Sequence, residues 1–228
     1  MTKLCIFDLD GTVLDTVPSI AHYANGALEK NGVAPIAEHE YKYLAGKGIA
    51  NLVEGMLRFR GCYSQELYAR VYHDYDTAYN ADVAYKTTIF EGLKPVLDQL
   101  RARGILLTIV SNKPDFAAQT VVKALYGEGY FAYVTGQKPG GVLKPDPSVV
   151  LSVMEQFDAR PADCVYVGDT STDMLTGKNA NLYTVGVLWG FRGREELEEN
   201  GADAIAATPA ELLELILKRF CAFGENDV

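Results

Sequence analysis

The sequence predicts an α/β protein: a doubly wound parallel-sheet core carrying an inserted small all-helical cap domain. Three observations carry this. Short apolar runs of strand length recur along the chain, segments of about ten residues with helical period separate them, and a long helical stretch with no strand in it follows directly on the first apolar run. Strands that alternate with helices need crossover connections, and right-handed crossovers stack helices on both faces of one sheet. The expected division is a core over residues 1–15 and 82–228 and a helical domain over 16–81.

Leu4-Cys5-Ile6-Phe7 is the first strand, apolar throughout as a parallel strand covered on both faces should be. In the insert, Ile20, Tyr23, Ala24, Ala27 and Leu28 recur at i, i+3, i+4, i+7 and i+8 and form one apolar face. Ser19 is the expected N-cap of that helix and Asn31-Gly32 its stop. Further helices are expected over 38–45, 49–58 and 64–80, the last with Leu67, Val71, Tyr72 and Tyr75 on one side. Residues 15–18 and 82–91 would be the hinges. A helix over 93–103 is stopped by Gly104, and the apolar run 105–110 is the second long strand. Strands near 130–135, 163–167 and 182–187 then alternate with helices over 115–126, 147–157, 171–179 and 209–220.

Composition bounds the function. The 228 residues suffice for a core plus an insert, and 48% hydrophobic with 22% charged residues excludes a disordered chain. A net charge of −9 argues against nucleic acid and anionic membrane as partners, because both call for basic surfaces. Asp8 and Asp10 interrupt the only early apolar run, so neither a signal peptide nor a membrane span is expected there. Cys5, Cys62, Cys164 and Cys221 are far apart, without zinc spacing, and read as reduced thiols of a cytoplasmic protein. His22, His39 and His73 are scattered through the insert and read as surface or packing residues. Nothing in the composition sets an oligomeric state.

The chemistry sits at strand ends. Asp8 and Asp10 follow the first strand two positions apart, so both start on the same side with Cα atoms within about 7 Å. Like charges that close call for a cation or a proton. Gly11 can take a turn that a side chain would obstruct, and Thr12 adds a hydroxyl and an amide at the sheet mouth. Ser111-Asn112-Lys113-Pro114 follows the second long strand, Lys144-Pro145-Asp146-Pro147 precedes a helix, and Gly168-Asp169-Thr170-Ser171-Thr172-Asp173 follows the strand at 163–167. Taken singly, Ser111-Asn112 is also an N-cap, Lys144 a surface charge, and Asp169 with Asp173 the acidic first turn of a helix.

In this order, with three of the four at strand ends, these segments resemble the four motifs of the haloacid dehalogenase superfamily, subfamily I. The helical insert resembles that subfamily's cap by position and character. The resemblance implies an aspartate-nucleophile phosphohydrolase acting on a small phosphorylated substrate. Asp8 would be the nucleophile, and Asp10 would give a proton to the leaving oxygen and later take one from water. Mg²⁺ would be held by Asp8, the Asp10 backbone carbonyl and Asp169. Gly11, Thr12, Ser111, Asn112 and Lys144 would bind the phosphate, while Gly168 and Asp173 support the site, Asp173 through Lys144 or a metal-bound water. In Gly46-Lys47-Gly48-Ile49, Lys47 would meet an anionic group of the substrate. An acid at position 10 points to phosphoryl transfer, since halide leaving groups need no proton.

The carboxyl-terminal half, with Gly186-Val187-Leu188-Trp189-Gly190-Phe191 and Thr208-Pro209-Ala210-Glu211-Leu212, is similar to the phosphoglycolate phosphatase group. The alternatives are a hexose-phosphate mutase of the same family, which shares all four motifs, and a receiver-type phosphoacceptor. In a receiver the acceptor aspartate follows the third strand, whereas here the Asp8-Leu9-Asp10 pair follows the first.

Overall fold

The structure is a computed structural model that describes residues 2–222. Strand β1 (Leu4–Phe7) leads through β2 (Leu14–Asp15) into the helices α1 (Val17–Lys30), α2 (Tyr41–Leu44), α3 (Ile49–Phe59) and α4 (Gln65–Ala81). The chain returns through β3 (Thr88–Ile89), which pairs antiparallel with β2 as Leu14 to Ile89 and Asp15 to Thr88. Helix α5 (Leu93–Ala102), β4 (Leu106–Pro114), α6 (Asp115–Tyr126), β5 (Tyr133–Gln137), α7 (Ser148–Gln156), β6 (Cys164–Gly168), α8 (Ser171–Asn179), β7 (Tyr183–Val187), α9 (Arg194–Glu199), β8 (Ala204–Ala206) and α10 (Pro209–Ala222) complete it.

The six long-range strands form one parallel sheet in the order β5-β4-β1-β6-β7-β8. From β1 the chain moves outward through β4 to β5, then crosses back to β6 and moves out the other way. That reversal opens a crevice at the carboxyl ends of β1 and β6, the place where open α/β sheets take ligands. Alternate side chains of β1 divide between two cores: Cys5 and Phe7 pack with Leu107, Ile109, Val165 and Val167, while Leu4 and Ile6 pack with Val150, Val153, Cys164 and Tyr166. All four β1 side chains are fully buried. Two covered faces explain why this strand is apolar at every position rather than at every second one.

Several expectations are corrected. The N-cap of α1 is Thr16, not Ser19, which is buried within the first turn. Pro18 accounts for the shift, because proline is favoured at a helix start, where its missing N–H would have had no partner. Segment 38–45 is a short 3₁₀ turn, Glu38–Glu40, and a single α-helical turn, α2. Strand β4 runs to Pro114, four residues past the apolar run, and β5 starts at Tyr133 rather than 130. The β2–β3 ladder, α9 and β8 are too short to leave a periodic signal.

Asn31 caps α1 as expected, with Gly32 at φ +73°. The α4 N-cap is Ser64, whose hydroxyl accepts from the Leu67 N–H at 3.2 Å. Helix α4 turns Val71, Tyr75 and Tyr79, spaced four apart, inward toward α1 and α3. No helix among the described residues is long and apolar enough to cross a membrane. Cys5 and Cys164 are free and buried, and Cys62 and Cys221 are free as well. His22, His39 and His73 are all exposed.

Candidate active site

Asp8, Asp10, Ser111, Asn112 and Lys113 line a pocket at the carboxyl ends of β1 and β4, and Ile20, Ala45, Ile49, Leu52, Tyr75 and Tyr79 of the helical insert close it from above. Its cavity volume is about 50 Å³, several times the roughly 10–15 Å³ of such space that one water requires.

Beneath its floor, behind Asp8, the Lys144 ammonium sits 2.7 Å from Asp8 Oδ1 and 2.7 Å from Asp173 Oδ1, with its side chain 4% exposed. Burial works against the charge on Lys144, but Asp173 and Asp8 outweigh it and hold the amine protonated. Asp173 is spent on this architecture. Its Oδ2 accepts from the Asp169 and Thr170 N–H groups and the Thr170 hydroxyl, and Tyr166 donates to Oδ1. This places Asp173 as the support of Lys144.

Asp169 is fully buried, its Oδ1 accepting from the Thr12 hydroxyl at 2.7 Å and its Oδ2 from the Phe191 N–H at 2.8 Å. Thr12 therefore turns its hydroxyl to Asp169. Gly11 permits the approach: at φ +87° a Cβ there would lie 2.8 Å from Asp169 Cγ and 2.8 Å from Phe191 Cδ1. The Trp189 indole donates to the Thr12 carbonyl at 3.0 Å, which fixes the turn from the far side.

Carboxylate oxygens of Asp8, Asp169 and Asp173 all lie within 4.8 Å of one another. One lysine cannot neutralise three buried acids. Burial, with Asp173 beside it, pushes Asp8 up to about 7 despite Lys144, and burial with Asp173 and Asp8 pushes Asp169 well above the usual range. A site whose carboxyls resist ionisation for want of positive charge, and whose donors are all hard oxygens, fits a divalent cation such as Mg²⁺. With Asp173 occupied, Asp8 and Asp169 are the carboxylates best placed to hold it.

The Asn112 side chain is spent as well. Its Oδ1 accepts from the Lys144 N–H at 2.8 Å, and its Nδ2 donates to the carbonyls of Gly46 at 3.2 Å and Lys144 at 3.3 Å. Asn112 thus fixes the backbone of the floor lysine and ties it to the insert. Ser111 is buried at the pocket wall, its Oγ accepting from the Lys113 N–H at 3.2 Å.

Asp10 pairs with a residue that sequence reasoning quoted but did not use. Lys113 Nζ lies 2.9 Å and 3.1 Å from the two Asp10 oxygens, with the lysine side chain 4% exposed. Burial would pull the amine down, but Asp10 and Tyr79 push it above its ordinary value. The missed signal was the place of Lys113 after Ser111-Asn112. It lies on β4 beyond the end of its neighbour β1, where the pairing with β5 also shifts register, so it reaches the site as Ser111 does.

Lys47 lies elsewhere. It is exposed and lines a separate cleft with Thr170, Ser171, Thr172, Arg192 and Glu196. Arg192 closes that side, pairing with Glu196 Oε2 at 3.1 Å, donating to the Lys42 carbonyl and stacking over Tyr43 at 5.4 Å. The Gly46-Lys47-Gly48 turn does reach the main pocket, through Gly46 and Gly48 alone.

Comparison with known proteins gives the family and the fold. Residues 5–187 match the family model described as haloacid dehalogenase-like hydrolase. A phosphoglycolate phosphatase of Nitrosospira multiformis is 31% identical over 218 residues, covering 95% of this chain and 96% of that protein. One of Psychrobacter arcticus is 29% identical over 96% of this chain and 98% of its own length. A solved structure from Lactobacillus delbrueckii, described as a candidate phosphoglycolate phosphatase, superposes with TM-score 0.88 at 30% identity over 95% of this chain and 99% of that one. β-Phosphoglucomutase of Clostridium difficile has the same fold, with TM-score 0.77 at 21% identity over 98% and 99% of the two chains. Matched over most of its length by the family model and over nearly all of it by these relatives, the chain belongs to the haloacid dehalogenase-like hydrolases.

Proposed function

We infer that the protein is a Mg²⁺-dependent phosphatase that hydrolyses small phosphate monoesters through an aspartyl-phosphate, with phosphoglycolate or a related small phosphorylated acid as substrate. The observation that carries this is Asp8 itself: a buried carboxylate at the pocket floor, one oxygen held 2.7 Å from a buried ammonium, with a second acid two residues on at the pocket wall. The phosphoglycolate phosphatases among its relatives support the substrate.

A phosphate monoester dianion repels an attacking carboxylate, so the site must supply positive charge and orientation before chemistry can occur. Lys144 supplies one charge and aims Asp8. Bound Mg²⁺, held by Asp8 and Asp169, would neutralise phosphoryl charge. In the first half-reaction Asp8 forms a bond to phosphorus, the phosphorus–oxygen ester bond breaks, and Asp10 gives its proton to the leaving alkoxide. In the second, water attacks phosphorus, Asp10 takes the water's proton, and the Asp8–phosphorus bond breaks, releasing inorganic phosphate. The Ser111 hydroxyl is positioned to donate to a phosphate oxygen. Thr12 and Asn112, both committed within the protein, act by holding Asp169 and Lys144. A core of residues 1–15 and 82–228 with a cap of 16–81 suits this chemistry, since water must be kept out of the first step.

The test is turnover by Asp8→Asn, which keeps shape and removes the nucleophilic charge. Phosphate release from phosphoglycolate should fall by at least about a thousandfold, and excess EDTA should abolish it in the unaltered enzyme. Substantial turnover by Asp8→Asn would place the nucleophile elsewhere. The mutase reading is tested with β-glucose 1-phosphate and a bisphosphate activator, where free phosphate rather than glucose 6-phosphate should accumulate.

A further inference from the structure

We propose that Tyr79 and Lys113 form the specificity subsite for the end of the substrate remote from phosphorus, and that its ligand is a compact anionic group, a carboxylate one or two carbons from the ester oxygen. The proposal rests on the phosphatase reading above.

Lys113 is the one lysine or arginine among the described residues that line the main pocket. Its ammonium is anchored on Asp10 and stands 5.0 Å from the centroid of the Tyr79 ring, so the cation bridges the β4 end and helix α4. Tyr79 is 2% exposed, and its hydroxyl lies beside that ammonium, which can only donate to it, so the phenol's own O–H is left without an acceptor. A phenol buried without a partner is costly, and such groups in native proteins call for an explanation. Tyr75 stacks against the ring at 5.5 Å and 12° and keeps it in place.

The pocket therefore offers an N–H donor and an O–H donor side by side where the end of β4 meets helix α4. The insert's other side chains in this pocket, Ile20, Ile49 and Leu52 among them, are apolar or aromatic and offer no charge to compete with Lys113. A ligand tail there has to be small, given the free volume of about 50 Å³, and must bring acceptor oxygens. A carboxylate meets both conditions, and hydrogen bonds to an ion are the stronger kind. A neutral alkyl tail leaves the phenol unsatisfied.

The experiment compares kcat/KM for phosphoglycolate and for ethyl phosphate, which has a similar size and no carboxylate, in the unaltered enzyme and in Tyr79→Phe. The unaltered enzyme should prefer phosphoglycolate by about tenfold or more, and Tyr79→Phe should cut that ratio by about tenfold, chiefly through KM. The same variant should lose no more than about 1 kcal/mol of stability without ligand, since the O–H it deletes has no acceptor and Lys113 keeps its bonds to Asp10. Inhibition gives a readout free of turnover: 3-phosphonopropionate, which cannot be hydrolysed, should lose its advantage over propylphosphonate in Tyr79→Phe. A ratio that the substitution leaves unchanged overturns the proposal. So does an unaltered enzyme that cleaves both esters equally well, though that result leaves the phosphatase reading standing. Failure to cleave either ester overturns that reading and the subsite with it.

Discussion

The floor and the roof of one pocket are built on opposite plans. The floor, at the ends of β1 and β6, holds three buried carboxylates, one lysine shared between two of them, and hydrogen bonds that leave Asp173, Asn112 and Thr12 no freedom. The roof, from α1, α3 and α4, is aliphatic and aromatic, and the O–H of its Tyr79 has no acceptor. A floor so heavily cross-braced fixes where phosphorus must sit, because reacting atoms tolerate little misplacement. A roof with an unspent donor waits for the substrate to complete it. On the proposed reading, the charged floor serves the chemistry, and substrate choice falls to the place where α4 meets Lys113 of β4.

Lys144→Met is the severest test of that contrast. Removing the ammonium leaves Asp8 and Asp173 buried without a counter-charge, and loss of one partner of a buried pair is worth about 3–5 kcal/mol. Urea denaturation in chelator should show a loss of that size; a change below about 1 kcal/mol would mean that the floor is not held by the lysine.

The same crowding of acids sets a pH dependence. Asp8 is pushed up to about 7 in the folded protein, and Asp169 is also raised, both mainly by burial. A raised folded-state pKa contributes stability that is complete below the ordinary carboxylate value of about 4 and is lost as pH rises through the folded value. Metal-free protein should therefore become less heat-stable between about pH 4 and 7. Mg²⁺ reverses the sign, because it binds the ionised carboxylates and must displace their protons. The rise in Tm on adding Mg²⁺ should be larger at pH 8 than at pH 6. An equal rise at both would show that the cation does not bind these acids.

Lys47→Ala is the mildest test. An exposed lysine in a neighbouring cleft should change kcat/KM for phosphoglycolate by no more than about twofold, as expected of a solvated charge. A tenfold loss confined to the acid substrate would move the specificity subsite from α4 to the turn before α3.

Much of this site can be read from the residues in order. Apolar runs ending in acids or hydroxyls reveal β1, β4 and β6, since a parallel strand covered on both faces must be apolar and its carboxyl end must hold the polar groups. Asp8 and Asp169 are legible for the same reason, each standing one residue beyond a strand end, whereas the support of Lys144 by Asp173 is legible only through the family resemblance. Ser19 misled, because a serine before an apolar face signals a cap only when no proline in the preceding residue claims the first turn.

By itself, then, the sequence determined the sheet, the helical insert and the charged floor, whose signals are local: period, run length and spacing within a few residues. Only the tertiary structure decided that Lys113 pairs with Asp10, 103 positions away, that Thr12 and Asn112 are committed to Asp169 and Lys144, and that Tyr79 rather than Lys47 reaches the pocket. The place of Tyr79 depends on how α4 packs near the end of β4, and the other contacts depend on which strand ends and loops the parallel sheet sets side by side. Packing brings together residues whose separation along the chain carries no trace of their meeting.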